Sequence, residues 1–214
     1  MSVATGLLVR IDAKPGKGRD VEHLLESSLD WVETEPHTTA WFAVRTGRDA
    51  YGIIDVFTDE RGREDHLAGP VVKSLAARAD EILADPPRIR RFDVIAQKMP
   101  EGSTVVSKRA SVTKGVLLRL PPKRGKAGEL AEFLEGARPL VEAERGTTAW
   151  FAFKLDDGDE GIFDVFPTAG GRFAHLIGRV PRALLRRGLR LLGGLPRLQL
   201  VEVVAAKLPE PRAA

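Results

Sequence analysis

The sequence predicts an α+β fold made of two tandem copies of one β-α-β-β-α-β unit, and three observations predict it. The hexapeptide TTAWFA stands at residues 38–43 and again, letter for letter, at 147–152. Sliding the chain against itself in that register extends the match without a gap, with about 38 of 96 aligned positions identical, so a whole module is duplicated. Within each copy the apolar residues follow strand-like, then helix-like spacing in the order strand, helix, strand, strand, helix, strand.

The first copy shows each element in turn. GLLVRID (6–12) is a short apolar strand, and PGKGRDVEHLLESSLDWVETE (15–35) places Val21, Leu24, Leu25, Leu29 and Val32 near helical spacing. TTAWFAVR (38–45) and YGIIDVF (51–57) are β-rich runs joined by TGRDA, a hairpin-like connection. From Asp59 to Ala84 the pattern is helical, with Gly69-Pro70 breaking it into two pieces, and IRRFDVIAQK (89–98) closes the unit as a strand. That order is the split βαβ, ferredoxin-like arrangement, in which both helices cover one face of a four-stranded antiparallel sheet. The bare face needs a cover, and a second copy supplies one, so two fused ferredoxin-like (βαββαβ) repeats are expected to form a pseudo-symmetric α+β barrel. Repeat 1 is placed at 1–100, a polar linker at 101–114 and repeat 2 at 115–214.

Composition narrows the function. With 43% hydrophobic and 29% charged residues the chain belongs with folded proteins rather than disordered ones. It has no apolar run of roughly 18 residues, and MSVATGLLVRIDAK lacks the pattern of a secretory signal, so a cytoplasmic location is expected. The absence of Cys removes disulfides, thiolate nucleophiles and Cys-based metal sites. A net charge of +3 does not demand a nucleic-acid partner, and neither nucleic acid nor membrane is expected. One segment stands apart: RVPRALLRRGLRLLGGLPR (179–197) has six Arg and no acid, where the first copy has three acids in KSLAARADEILAD. Such a basic amphipathic helix either binds an anionic surface or turns its Leu stripe to the core.

Of the four His, only His66 and His175 coincide under the repeat, since His23 and His37 align with Glu132 and Gly146. A neutral imidazole there would serve as a general base; the alternative is a structural histidine bonded to an acidic neighbour. Arg63 and Arg172 lie three residues earlier on the same helical face and suit an anionic oxygen or a surface ion pair. Asp55 and Asp164 sit in apolar strands on the same face as Phe57 and Phe166, with Arg10 and Arg119 as expected counter-ions. The functional alternative is that these carboxylates orient the histidine or accept a substrate proton. Trp41 and Trp150 are either walls of a planar pocket or core packing. Tyr51 becomes Glu160 in the second copy, so the two sites are expected to be inequivalent.

WFAVR followed by YGIIDVFTDERGREDHLAG, and WFAFK followed by EGIFDVFPTAGGRFAHLIG, each closed by VIAQKMP or VVAAKLP, resemble the antibiotic biosynthesis monooxygenase (ABM) superfamily over nearly the whole chain. The resemblance implies the dimeric α+β barrel fold and one of three roles: cofactor-independent oxygenation, haem breakdown, or no catalysis. Family oxygenases and haem degraders commonly carry a Trp where this chain has Phe57 and Phe166, and use an Asn, of which the chain has none. The leading expectation is a cofactor-independent monooxygenase taking molecular oxygen and a planar aromatic, polyketide or hydroquinone-type molecule. His66, His175, Asp55 and Asp164 are its catalytic candidates. Trp41, Trp150, Phe57, Phe166, Arg63, Arg172 and Tyr51 are its substrate contacts, with no metal and no cofactor. A non-catalytic binding or scaffolding protein is the alternative. Haem is disfavoured by the missing Asn and the shifted Trp. Internal duplication makes a monomer sufficient, with further homo-oligomers open.

Overall fold

The computed structural model describes residues 2–100 and 112–209. The first repeat forms β1 (Thr5–Asp12), α1 (Gly18–Thr34), β2 (Thr38–Arg45), β3 (Ala50–Phe57), α2 (Glu60–Leu67), α3 (Pro70–Ile82) and β4 (Arg88–Lys98). The second forms β5 (Lys114–Leu120), α4 (Ala127–Gly136), α5 (Arg138–Glu142), β6 (Ala149–Leu155), β7 (Glu160–Phe166), α6 (Ala169–Leu176), α7 (Arg179–Leu191) and β8 (Arg197–Lys207). The strands hydrogen-bond in the order β1-β3-β2-β8-β5-β7-β6-β4 as a closed barrel, so the fold is the expected α+β barrel. No helix among the described residues is long and apolar enough to cross a membrane.

Local chemistry explains the element ends. The turn into the first helix of each repeat needs a left-handed residue, and Gly16 (φ 81) and Gly125 (φ 76) supply it. Gly69 precedes Pro70 at the first turn of α3, where the missing proline N–H costs nothing. The first helix is continuous in repeat one but split into α4 and α5 in repeat two. Gly136 and Pro139 stand there in place of Ser27 and Asp30, and a proline in a helix interior loses a hydrogen bond and clashes with the preceding turn. Of the linker expected at 101–114, residues 101–111 lie outside the described residues, and Lys114 already begins β5.

The chain forms two compact units whose limits differ from those of the sequence repeats. Unit one comprises the residues up to Arg91 and the end of β8 from Val201, which pairs antiparallel with β2. Unit two contains the β4 stretch from Phe92, which pairs with β6, and the residues up to Leu200. In unit one the predicted stripe of Val21, Leu24, Leu25, Leu29 and Val32 packs on Leu7, Val9, Ile11, Trp41, Ile53 and Phe57 of the sheet. Unit two builds the same layer from Leu130, Leu134 and Val141 against Trp150 and Ile162.

The register across each sheet positions the site. In unit one Leu7 lies opposite Asp55, Asp55 opposite Trp41 and Trp41 opposite Lys207. Unit two repeats the row as Val116, Asp164, Trp150 and Lys98. Both rows sit on the helix side of the sheet, because side chains alternate faces along a strand and Trp41 belongs to the helix-side core.

Candidate active site

In unit one Asp59 caps α2, its carboxylate accepting the Gly62 N–H at 2.9 Å. This cap fixes the helix so that Arg63 and His66 face inward and are buried. His66 then lies between two carboxylates. Its Nδ1 is 2.6 Å from Glu35 Oε2, at the end of α1, and its Nε2 is 3.2 Å from Asp55 Oδ2, on β3. Thr38 donates to the same Glu35 oxygen at 2.5 Å, and the Leu7 N–H donates to Asp55 Oδ1 at 3.1 Å. The Phe57 ring tilts against the imidazole with centroids 5.4 Å apart. Lys207 donates to the carbonyls of Val32 and Glu35 at 2.8 and 2.7 Å, closing the C-terminus of α1 with a cation.

Electrostatics follow from this geometry. Burial by itself would lower the His66 pKa, but the bond and charge of Asp55, then those of Glu35, outweigh it and push it up to about 10. Burial pushes Asp55 above the usual carboxylate range, opposed by its bond to His66. With its proton held this tightly, His66 turns its two ring nitrogens to carboxylates, and in that protonated form it has no lone pair with which to act as a base.

Unit two has the same cluster in looser form. His175 Nδ1 is 2.5 Å from Glu144 Oε2, but its Nε2 is 3.5 Å from Asp164 Oδ2. Burial pushes Asp164 up to about 7 against the charge of His175, and its Oδ1 finds no hydrogen-bond partner. The His175 pKa is raised: burial opposes the rise, and the bond to Glu144 and the charge of Asp164 win.

The cavities differ more than the clusters do. In unit one a cavity of about 130 Å³ lies between sheet and helices, walled by apolar side chains such as Leu7, Val9, Ile53, Val71 and Leu75. Among the described residues Asp55 and His66 are its only polar lining. In unit two a cleft of about 400 Å³ lies on the other side of the histidine, against Glu144, Thr147 and His175, with Arg145 and Arg179 at its edge and Asp164 outside it. A small difference opens that cleft. Gly62 stands against the His37 side chain, whereas the matching Gly171 stands against Gly146, which has none.

No protein-family model and no curated protein matches the chain. Solved structures do. A candidate monooxygenase of Fusobacterium nucleatum superposes over 99% of both chains with a TM-score of 0.83 at 14% identity. An anthrone oxidase-like protein matches over 100% of this chain and 98% of its own, with a TM-score of 0.65 at 12% identity. A Listeria monocytogenes ferredoxin-fold protein related to antibiotic biosynthesis monooxygenases matches over 98% of this chain and 96% of its own, with a TM-score of 0.53 at 8% identity. The chain shares their ferredoxin-like α+β fold.

On this fold the other expected contacts fall away from both cavities. Trp41 and Trp150 are fully buried, and their indole N–H groups find no acceptor among the described residues. Phe57 and Phe166 back the histidines. Arg63 pairs with Glu60 and donates to the Gly6 carbonyl at 3.4 Å, and Arg172 donates to Gly115 at the same distance. Tyr51 donates to Glu22 at 3.2 Å, while Glu160 in its place in repeat two is buried with both oxygens unpaired and is pushed up to about 7 by that burial.

The expected Asp55–Arg10 and Asp164–Arg119 pairs are corrected. Arg10 bonds Asp12 at 2.9 Å and Arg119 bonds Asp157 and Asp159 at 2.8 and 2.6 Å. The physical reason is strand parity: Val9 and Ile11 enter the helix-side core with Leu7, so Arg10 between them points to the opposite face. The partners that sequence reasoning missed are Glu35 and Glu144, with Lys207 and Lys98. All four were legible as residues identical in the two repeats. Haem does not fit these sites, because the ring nitrogens of His66 and His175 already face carboxylates and leave none for iron.

Proposed function

We propose that this ABM-fold protein oxygenates a one-ring phenol or hydroquinone-type molecule in unit one, using molecular oxygen and no metal or organic cofactor. The observation that carries the reading is a buried Asp55–His66 pair forming the only polar wall of a small apolar cavity. A cavity of about 150 Å³ holds benzene, and the present one is about 130 Å³, so a single ring suits it and a three-ring anthrone does not. The anthrone oxidase-like likeness therefore supports the chemistry more than the substrate size.

Asp55, raised by burial, takes the phenol proton, and the His66 imidazolium beside it offsets the negative charge that appears. The phenolate passes an electron to oxygen, the two radicals join at the para carbon, and the peroxide loses water. Phenol plus oxygen gives quinone plus water: one ring C–H and the O–H are broken, and one oxygen atom ends in each product. Oxygen uptake with phenols, hydroquinones and anthrones tests the reading. Asp55→Asn should lose about 100-fold or more in kcat, and Asp164→Asn should keep wild-type turnover. The reading fails if no substrate consumes oxygen, or if Asp55→Asn turns over like wild type.

One observation favours a second reading. The His–Glu–Asp cluster recurs in unit two although Asp164 lines neither cavity, so the cluster also serves to tie helices to sheet. In a non-catalytic protein the unit one cavity would bind its ring without turnover, and saturable ligand binding without oxygen uptake would identify that case.

A further inference from the structure

Six of the eight exposed large hydrophobic side chains among the described residues lie between Phe173 and Leu200: Phe173, Ile177, Leu185, Leu195, Leu198 and Leu200. They are not the core stripe of α7, which is formed by Val180, Leu184 and Leu191. Interleaved with them are Arg179, Arg182, Arg186, Arg187, Arg190 and Arg197, all exposed and none with an ion-pair partner among the described residues.

The duplication shows how this face arose. In repeat one Arg91 of β4 bonds Glu60 and Glu64 of α2 at 2.9 and 2.5 Å. The matching positions of repeat two are Leu200, Ala169 and Phe173, so an ion-pair cluster has become an apolar patch. Ala76 and Ile89, neighbours on the wall of one cavity, become Leu185 and Leu198. Acids leave at the same time, with Asp65 replaced by Ala174, Glu81 by Arg190 and Asp85 by Gly194.

We propose that this face of unit two docks on a membrane surface rich in anionic lipid. The guanidinium groups match lipid phosphates, and Phe173 with the leucines enters the boundary between headgroups and acyl chains. With no helix among the described residues long and apolar enough to span, this face would lie on the surface. Charge decides against the other occupants. A second copy pairing by two-fold symmetry would set arginines against arginines with no acid between them. Nucleic acid would engage the arginines and leave six apolar side chains in water.

Co-sedimentation of the full chain with vesicles tests this. Wild type should bind phosphatidylcholine vesicles containing phosphatidylglycerol at least about tenfold more tightly than pure phosphatidylcholine, and less as salt rises. Phe173→Glu with Leu200→Arg rebuilds the ion pair that repeat one already carries, so folding is retained, and should lower binding about tenfold or more. Arg186→Ala with Arg190→Glu installs the residues at Ala77 and Glu81, and should cost about fivefold per arginine. Equal binding to both vesicle types overturns the proposal. So does a lipid-free dimer in sedimentation that Phe173→Glu with Leu200→Arg abolishes, or tighter binding to duplex DNA than to the anionic vesicles.

Discussion

His66 and His175 hold the same place in two copies of one module, and their surroundings have diverged by different amounts. The acid partners are kept: Glu35 and Glu144 bond Nδ1 at 2.6 and 2.5 Å. The aspartate side has loosened from 3.2 to 3.5 Å; Asp55 Oδ1 receives the Leu7 N–H, and among the described residues Asp55 Oδ2 and Asp164 Oδ1 each have no hydrogen-bond partner. The space has changed most, from an apolar cavity reaching Asp55 to a polar cleft that reaches Glu144 instead. The ion cluster is thus a property of the module, since four strand and helix positions create it. The cavity is a property of a few wall residues, and these differ between the two copies.

The largest effect should come from the wall. Val71→Phe puts a ring into the unit one cavity and should cut oxygen uptake about 100-fold while costing under about 3 kcal/mol of stability. Its counterpart Val180→Phe should leave turnover intact, and equal losses in the two variants would break the assignment to unit one. Next comes the cluster itself. His66→Gln removes the cation between a buried and a half-buried carboxylate and should cost about 3–5 kcal/mol in urea unfolding, with His175→Gln costing about half as much. Similar costs would mean that the looser aspartate contact has no energetic meaning.

The pH profile sharpens the same contrast. His66 binds its proton more tightly folded than unfolded, so its contribution is complete below about pH 6.5 and is lost as pH rises through about 10. Wild-type stability should therefore fall by a few kcal/mol over that window, and His66→Gln should flatten the fall. The smallest effect concerns Glu160, whose proton is also held more tightly in the folded chain, so stability is lost as pH rises from 4.5 to about 7. Glu160→Gln should gain about 1 kcal/mol at pH 8 and nothing near pH 4, read from thermal unfolding at both pH values.

Much of the fold was legible because its signals are local or duplicated. Val21, Leu24, Leu25, Leu29 and Val32 form the stripe that their spacing predicts, and Gly69-Pro70 separates two helices where expected. His66 and Asp55 were legible as candidates through their repetition. Their mutual contact was one of several options, and the favoured Arg10 partner failed on strand parity. Glu35 lies 31 residues from His66, a separation that no spacing rule reaches.

By itself the sequence determined the module, its duplication, its element order and the residues able to carry charge inside an apolar layer, because these depend on period and identity. Tertiary structure alone decided which charges meet, that the closing strands β4 and β8 split between the two compact units, and that the cavity of unit one opens onto Asp55. Such outcomes depend on register, strand parity and the volume left between packed side chains, which are set only when distant segments close on one another.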